Sequence, residues 1–319
     1  MEERNQTRLE LTFGDLVTEY LESEAELNKR PRTIREDKRM VEKIIRPKLG
    51  SYRLKAIGTR DAEGLHASLK ATPYQANRVL ALLSAIFNFA IKAKLITENP
   101  AKGVKKFTEE KRENRLSVDQ IQCFREALDA YKDQSAANCL RLLLLTGSRA
   151  GEALSAEWKE FDLLRGVWTK PTHHTKQKKT EHVPLSAPAL ELLLSVRPKN
   201  ASGPLFPGKE DKDNNRRHRV SVKRPWVQAC KAAGLVEKSQ VKGKRRKVVT
   251  RYRPTVRIHD LRHSFASHLV SNGVGLQIVG KLLGHVQAST TQRYAHLQDE
   301  ALRAATNQLA TIIDFRRKG

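Results

Sequence analysis

The sequence predicts a mainly α-helical protein with one small β-sheet or hairpin, built as two domains joined by a charged linker. Three observations carry this. Apolar residues recur at helical spacing through the first hundred positions. Near residue 100 that periodicity stops in a charged stretch containing Pro100 and Gly103. From Gly166 to Ser186 the texture turns to short β-prone runs around a basic, turn-rich middle. A chain of 319 residues is long enough for two cores of ordinary domain size.

The elements follow in order. "FGDLVTEYLESEAEL" sets Phe13, Leu16, Val17, Tyr20 and Leu21 at helical spacing, and "YQANRVLALLSAIFNFAIKAKLI" is longer and more apolar, as suits a central helix. Pro31, Pro47 and Pro73 punctuate these helices. Residues 9–100 are therefore expected to form a small all-helical domain, and 101–114, within "ENPAKGVKKFTEEKREN", a linker. The second domain, 115–319, opens on a helix start: Ser117 with Gln120 three residues on forms a capping box before "IQCFREAL". "NCLRLLLLTG" reads as a buried helix and "RAGEALSAEW" as a short one. After the hairpin in "GVWTKPTHHTKQKKTEHVPLS", helices are expected to resume at "APALELLLSV" and to dominate to the end. There is no internal repeat and no low-complexity tract.

Composition narrows the partner. Lys and Arg number 60 against 35 Asp and Glu, a net charge of +25. Such an excess costs self-repulsion, which a polyanion relieves, and cations placed on phosphates release condensed counterions. Lys209–Arg253 alone holds 16 Lys and Arg against 4 acids in 45 residues. Within it "KGKRRK" lies between β-branched residues, as a basic hairpin or loop would; the stretch is either a phosphate-facing surface or only a solvated one. Three scattered cysteines (Cys123, Cys139, Cys230) suggest a reducing compartment, and support neither a disulfide framework nor a zinc finger. The polar start "MEERNQTRLE" is no signal peptide, and the longest apolar run, near Leu142–Leu145, is too short for a bilayer. A cytoplasmic protein is expected.

"HDLRHSFASH" holds three histidines and an arginine within ten residues. On a helix over 259–272, His259, Arg262 and His263 share an arc of roughly 100°, while Leu261, Phe265, His268 and Leu269 form the apolar side. His268 therefore reads as a core histidine. His259 and His263 are spaced like the two histidines of a zinc-protease helix, but Asp260 stands where that motif needs Glu, and Arg262 between them would repel a dication. A guanidinium beside an imidazole suits a phosphate better: the fork donates paired hydrogen bonds and the ring passes a proton. Two further motifs fail. "GLQIVGKL" has phosphate-loop spacing but ends in Leu282 where Ser or Thr must hold magnesium, and it reads as a helix. "DKDNN" begins like a calcium loop but has Arg216 where the sharp turn needs Gly.

Taken in order, "TGSRAGEAL" (Arg149), "HTKQKKTEHVPL" (Lys176), "HDLRH" (His259, Arg262), "LLGH" (His285) and "TTQRYAHL" (Tyr294) strongly resemble the boxes of the tyrosine recombinase family, the phage-type integrases. Any single box is weak. Five in one order, with His285 nine residues before Tyr294, are very specific. The resemblance covers nearly the whole chain: "LTFGDLVTEYLE" to "ITENPAKGV" is similar to the helical core-binding domain, and the remainder to the mixed α+β catalytic domain.

The resemblance implies a role for each residue. Tyr294 attacks a DNA phosphorus, leaving a 3′-phosphotyrosine and a free 5′-hydroxyl. Arg149 and Arg262 hold the non-bridging oxygens, Lys176 protonates the leaving 5′-oxygen, His259 assists proton transfer and His285 supports the phosphate. Lys178 and Lys179 stay open as alternatives to Lys176. The chemistry is coherent. A phenol near pKa 10 needs an acceptor or cationic neighbours to become nucleophilic, and fixed guanidiniums stabilise charge growing on the phosphoryl oxygens. The resemblance implies no metal, since side chains supply the cationic stabilisation, and no ATP, since the phosphotyrosine conserves the phosphodiester's bond energy. It further implies a two-domain clamp on duplex DNA core sites, a homotetramer exchanging strands in pairs, a possible accessory DNA-bending or directionality factor, and integration or excision of a mobile element.

Each residue alone also has a structural reading. Arg149 and Arg262 suit buried ion pairs, Tyr294 ordinary packing, His285 a helix cap; His263, His173, His174 and His296 are read as structural or surface histidines. A nicking-closing topoisomerase of type IB, a non-catalytic DNA-binding protein of the same fold, and, more distantly, a metal-dependent hydrolase are the competing functions. Ser148 departs from the apolar residue common in the family, and no arm-type DNA-binding domain is expected ahead of residue 9 unless the chain has been shortened. "DEALRAATNQLATII" is expected to be an amphipathic helix packing on its own domain or on a neighbouring subunit.

Overall fold

The computed structural model describes residues 11–109, 114–172, 179–210, 216–242 and 248–298. The chain divides into two compact units, Met1–Arg112 and Glu113–Gly319.

The first unit is helical. Helix α1 (Phe13–Tyr20) starts at Thr12, whose hydroxyl accepts from Asp15 N while the Asp15 carboxylate accepts from Thr12 N, so two orphan donors are satisfied. It runs through a π-helical turn, Leu21–Ala25, into Glu26–Asn28. Helix α2 (Pro31–Met40) passes through a similar turn, Val41–Ile45, into Arg46–Leu49; α3 (Thr59–Ala67) and α4 (Pro73–Lys92) complete the set. Pro31 and Pro73 occupy first helical positions, where a missing N–H costs nothing. Helix α4 is the apolar centre: Val79, Leu83, Ile86, Phe87 and Ala90 are buried with Phe13, Leu16, Val17 and Ile45. The Phe13 and Phe87 rings lie 5.0 Å apart. Part of the stretch expected as linker is bound to this unit. Asn77 accepts from Phe107 N and donates to its carbonyl, and the Phe107 ring stacks on His66 at 4.2 Å.

The second unit begins with α5 (Val118–Asp129), α6 (Gln134–Thr146) and α7 (Ala150–Ser155). The Ser117–Gln120 capping box opens α5 as the sequence indicates. An antiparallel sheet, β1 (Phe161–Asp162), β2 (Val167–Lys170) and β3 (Glu181–Pro184), pairs Trp168 with Val183 and Lys170 with Glu181. Helix α8 (Ala187–Ser195) follows. Helices do not then dominate throughout, as the sequence suggested. Two more antiparallel pairs intervene: β4 (Pro207–Glu210) with β5 (Arg216–His218), and, after α9 (Lys223–Ala232), β6 (Val236–Lys242) with β7 (Val248–Pro254). The β6–β7 ribbon is exposed along most of its length, so neither face needs an apolar alternation to announce it. "DKDNN" and the tip of "KGKRRK" lie outside the described residues. Helix α10 (Ile258–Ser271), α11 (Leu276–Leu282), α12 (Ala288–Thr291) and a 3₁₀ turn, Gln292–Leu297, close the described chain. "GLQIVGKL" thus becomes helix and no phosphate loop. "DEALRAATNQLATII" (299–313) lies outside the described residues.

The main core of this unit gathers Phe124, Leu140, Leu143, Trp168, Phe206 and Trp226. A smaller cluster of Ala266, Val270, Val279 and Leu283 packs with Tyr294. Among the described residues no helix is long and apolar enough to cross a membrane.

Candidate active site

Helix α6 ends at Gly147, whose φ of 61° turns the chain sharply. A Cβ there would be strained by the backbone and would meet Phe265 Cδ1 at 2.5 Å. The turn buries Ser148, whose hydroxyl accepts from Thr146 Oγ1 at 2.8 Å, so the departure from an apolar residue is met by a hydrogen bond. It also delivers Arg149 to the start of α7, half-buried. Glu152, one turn on, accepts from Arg149 N (3.0 Å) and from its guanidinium (2.6 Å).

Glu152 has a second partner that the sequence reading missed. Lys170, 1% exposed at the end of β2, places Nζ 2.7 Å from Glu152 Oε2 and 3.8 Å from Glu181 Oε2, over the Trp168 ring. Burial pulls the Lys170 ammonium below its ordinary pKa against the pull of both carboxylates. Burial alone would push Glu152 up; the Lys170 charge and the hydrogen bonds from Lys170 and Arg149 outweigh it and hold the carboxyl below its usual range. Glu181 is pushed up, by burial first and then by Glu152.

Helix α10 brings the histidine box to the same region. Arg262 is 4% exposed and donates to two backbone carbonyls, Gly147 O at 2.9 Å and Leu283 O at 2.6 Å. Burial and the neighbouring Arg149 lower its pKa to about 10, leaving it charged at neutral pH. His259 and His263, one turn apart, set their rings edge to face at 5.0 Å. His259 keeps an exposed edge, and partial desolvation followed by Arg262 holds its imidazole below the ordinary value. His268 bonds the Leu116 carbonyl from the far side of the helix, as its assignment to the other face requires.

The last two boxes arrive together. Helix α11 is closed by backbone bonds from Gly284 N to Lys281 O and from His285 N to Gly280 O. Gly284 has φ 63°, and a Cβ on it would fall 2.5 Å from the Glu181 carboxylate. His285 thus caps the helix through its backbone, while its ring bonds Thr291 Oγ1 at 2.8 Å. Burial, then Arg262 and Arg149, hold its pKa at about 4. Tyr294 is buried in the 3₁₀ turn, and its hydroxyl lies 2.6 Å from His263 Nδ1. His263, read from sequence as merely structural, is therefore in direct contact with Tyr294. The signal was available: it shares the arc of His259 and Arg262. Burial raises the Tyr294 pKa above that of an ordinary phenol, against the opposing pull of Arg293 and Arg262. A cleft beside it is lined by Arg115, Arg293 and His296.

Arg149, His259, Arg262, His285 and Tyr294 thus converge around one basin, each within electrostatic reach of Arg262 or bonded through it. Lys176 and Lys178, with His173 and His174, lie outside the described residues; Lys179 is exposed. Among the described residues no group of three or more His, Cys, Asp or Glu is placed to hold a metal ion.

Comparison with known proteins gives the class first. The fold matches a lambda integrase dimer bound to a COC′ core site (TM-score 0.71, 19% identity, 94% of this chain and 81% of that one). It matches equally the Tn1549 transposon integrase in complex with transposon right end DNA (TM-score 0.71, 18% identity, 94% and 100%). This is the fold of the DNA integrases. The family model described as "Phage integrase family" matches residues 114–301, that of the "Phage integrase central domain" matches 13–107, and the chain belongs to the phage integrase family of tyrosine recombinases. Relatives include tyrosine recombinase XerD of Staphylococcus aureus, 28% identical over 72% of this chain and 74% of the relative. The integrase of Escherichia phage P2 is 29% identical over 77% and 60%. The protein is an enzyme, a site-specific recombinase.

Proposed function

We propose that this recombinase cleaves and rejoins duplex DNA at core sites through a 3′-phosphotyrosine at Tyr294, serving integration and excision of a mobile element. Arg149 and Arg262 clasp the non-bridging oxygens, His285 and His259 support the phosphate and its proton transfers, and Lys176, in the sequence between β2 and β3, protonates the leaving 5′-oxygen. The observation that carries this reading is the buried Tyr294 hydroxyl held in its own chain's basin of cations, which favours cleavage in cis. Residues 9–100 act as the core-binding domain and 115–319 as the catalytic domain. The enzyme works in the cytoplasm as a homotetramer on DNA, with an accessory bending or directionality factor. Side chains supply the cationic stabilisation, so no metal is needed, and the phosphotyrosine keeps the phosphodiester's bond energy, so rejoining needs no ATP.

The test is a trapping assay: protein and DNA from around its own gene are mixed in EDTA, denatured, and examined for a covalent adduct. An adduct of protein with a 3′ DNA end supports the reading, and tight DNA binding with no adduct contradicts it. Arg262→Lys, which keeps charge but loses the fork, is expected to lower single-turnover cleavage on the order of 10²–10³. Cleavage within a few-fold of wild type would remove Arg262 from the phosphate.

Exposed Lys238, Arg251 and Arg253 on β6 and β7 are expected to face phosphates. Changing all three to Gln should weaken binding alike on specific and random DNA. It should also flatten the slope of log Kobs against log salt by roughly 0.9 per lost contact. An unchanged slope would make the ribbon a solvated surface only.

A further inference from the structure

Among the described residues His263 is the one hydrogen-bond partner of the Tyr294 hydroxyl, at 2.6 Å, and the acceptor is Nδ1 when Nε2 carries the ring proton. None of the roles proposed above uses it. We propose that His263 is the proton acceptor for Tyr294 during strand cleavage and returns that proton during rejoining. The inference rests on the reading of Tyr294 as the nucleophile and deepens it.

The step balances. A lone pair on Tyr294 Oη forms the new bond to phosphorus while the Oη–H proton passes to His263 Nδ1, making an imidazolium. The P–O5′ bond breaks, its electron pair stays on O5′, and O5′ takes a proton from the proposed general acid, Lys176. Rejoining reverses every transfer: the 5′-hydroxyl attacks, and Tyr294 leaves with the proton from His263.

The surroundings set when this happens. His263 is faced by His259 and Arg262 on its own helix, by Arg293 and Tyr294 on the 3₁₀ turn, by His285 after α11, and by Arg115 and His296 across the cleft. Burial first, then Arg293, His259, Arg262 and His285, hold its pKa at about 4, while burial lifts that of Tyr294. Without DNA the proton therefore stays on the tyrosine and the nucleophile rests. A phosphodiester placed among those cations adds the negative charge that they lack. It raises the basicity of His263, and the Oη proton becomes acidic as Oη bonds to phosphorus. The acceptor is thus competent only with substrate in place.

The experiment is single-turnover cleavage of a duplex carrying the site mapped by the trapping assay, across pH, with DNA binding measured beside it. His263→Ala is expected to cleave about 10²–10⁴ more slowly with binding intact. His263→Gln, which keeps an acceptor but cannot take a proton, should be comparably slow. Both should lose the acid limb of the wild-type pH profile. A ring-fluorinated tyrosine at 294, a more acidic phenol, should restore most of the lost rate in His263→Ala. Near-wild-type cleavage by either His263 variant, or no rescue by the fluorinated phenol, would overturn the proposal. A covalent adduct from Tyr294→Phe would instead overturn the nucleophile reading. An inactive Tyr294→Phe beside a fully active His263→Ala would sink only the role of His263.

Discussion

Tyr294→Phe is expected to abolish the covalent protein–DNA adduct completely while leaving the protein folded and bound to DNA. The substitution keeps the ring, which packs with Ala266, Val270, Val279 and Leu283, and removes only the oxygen that would bond to phosphorus. The structural cost is one hydrogen bond to half-buried His263, about 0.5–1.5 kcal/mol. That is small beside the roughly 5–15 kcal/mol typical of a domain. Denaturing electrophoresis after incubation in EDTA reads the adduct, and a binding titration reads the complex. Adduct at wild-type yield would move the nucleophile elsewhere.

Glu152→Ala should produce the largest loss of stability at the site, about 3–5 kcal/mol, because it strands a buried cation. Lys170 and Glu152 are each about 2% exposed at the side chain, and the remaining carboxylate, on Glu181, is 3.8 Å from the ammonium. Arg149 loses its tether in the same step, so cleavage falls along with melting temperature. The pH dependence has a definite sign. The folded-state pKa of Glu152 lies below its ordinary value. Its contribution is therefore fully present above the unfolded carboxylate pKa, about 4.3, and disappears as pH falls through the folded-state value. Thermal melting of the full chain at a series of acid pH values should show wild type and Glu152→Ala converging as pH drops. Adding Lys170→Met to Glu152→Ala should regain much of the stability by removing the stranded charge. A double variant no more stable than Glu152→Ala would show that the ion pair is not the cause.

The helices were legible because their apolar faces are continuous: α4 and α6 bury what their periodicity says they bury. Arg149, His259, Arg262, His285 and Tyr294 were legible as a series of local motifs, each anchored by a turn or helix end. The inward-facing lysine was harder. Lys170 sits in a basic run that reads as solvated, yet it is two residues from buried Trp168, and strand alternation puts both on one face. Its partner Glu152 is 18 residues away, and nothing local announces the pair. The contact of His263 with Tyr294 spans 31 residues and depends on where the 3₁₀ turn packs against α10, which no spacing rule fixes. The β6–β7 ribbon was legible only at its turn: the β-branched residues flanking "KGKRRK" announced a hairpin or loop, but strands solvated on both faces carry charge where a reader looks for alternation, so their extent was not.

Arg262 reaches the Gly147 carbonyl 115 residues back along the chain and the Leu283 carbonyl 21 residues ahead. A polypeptide still emerging from the ribosome has no Leu283 until almost all of this machinery has been synthesised, and a fragment lacking it cannot form the second of the two bonds that hold the guanidinium. The folded position of Arg262 is therefore withheld from nascent or truncated copies that end before Leu283. It is reached only when the second unit has closed on itself, so the arrangement around this guanidinium is coupled to completion of the fold.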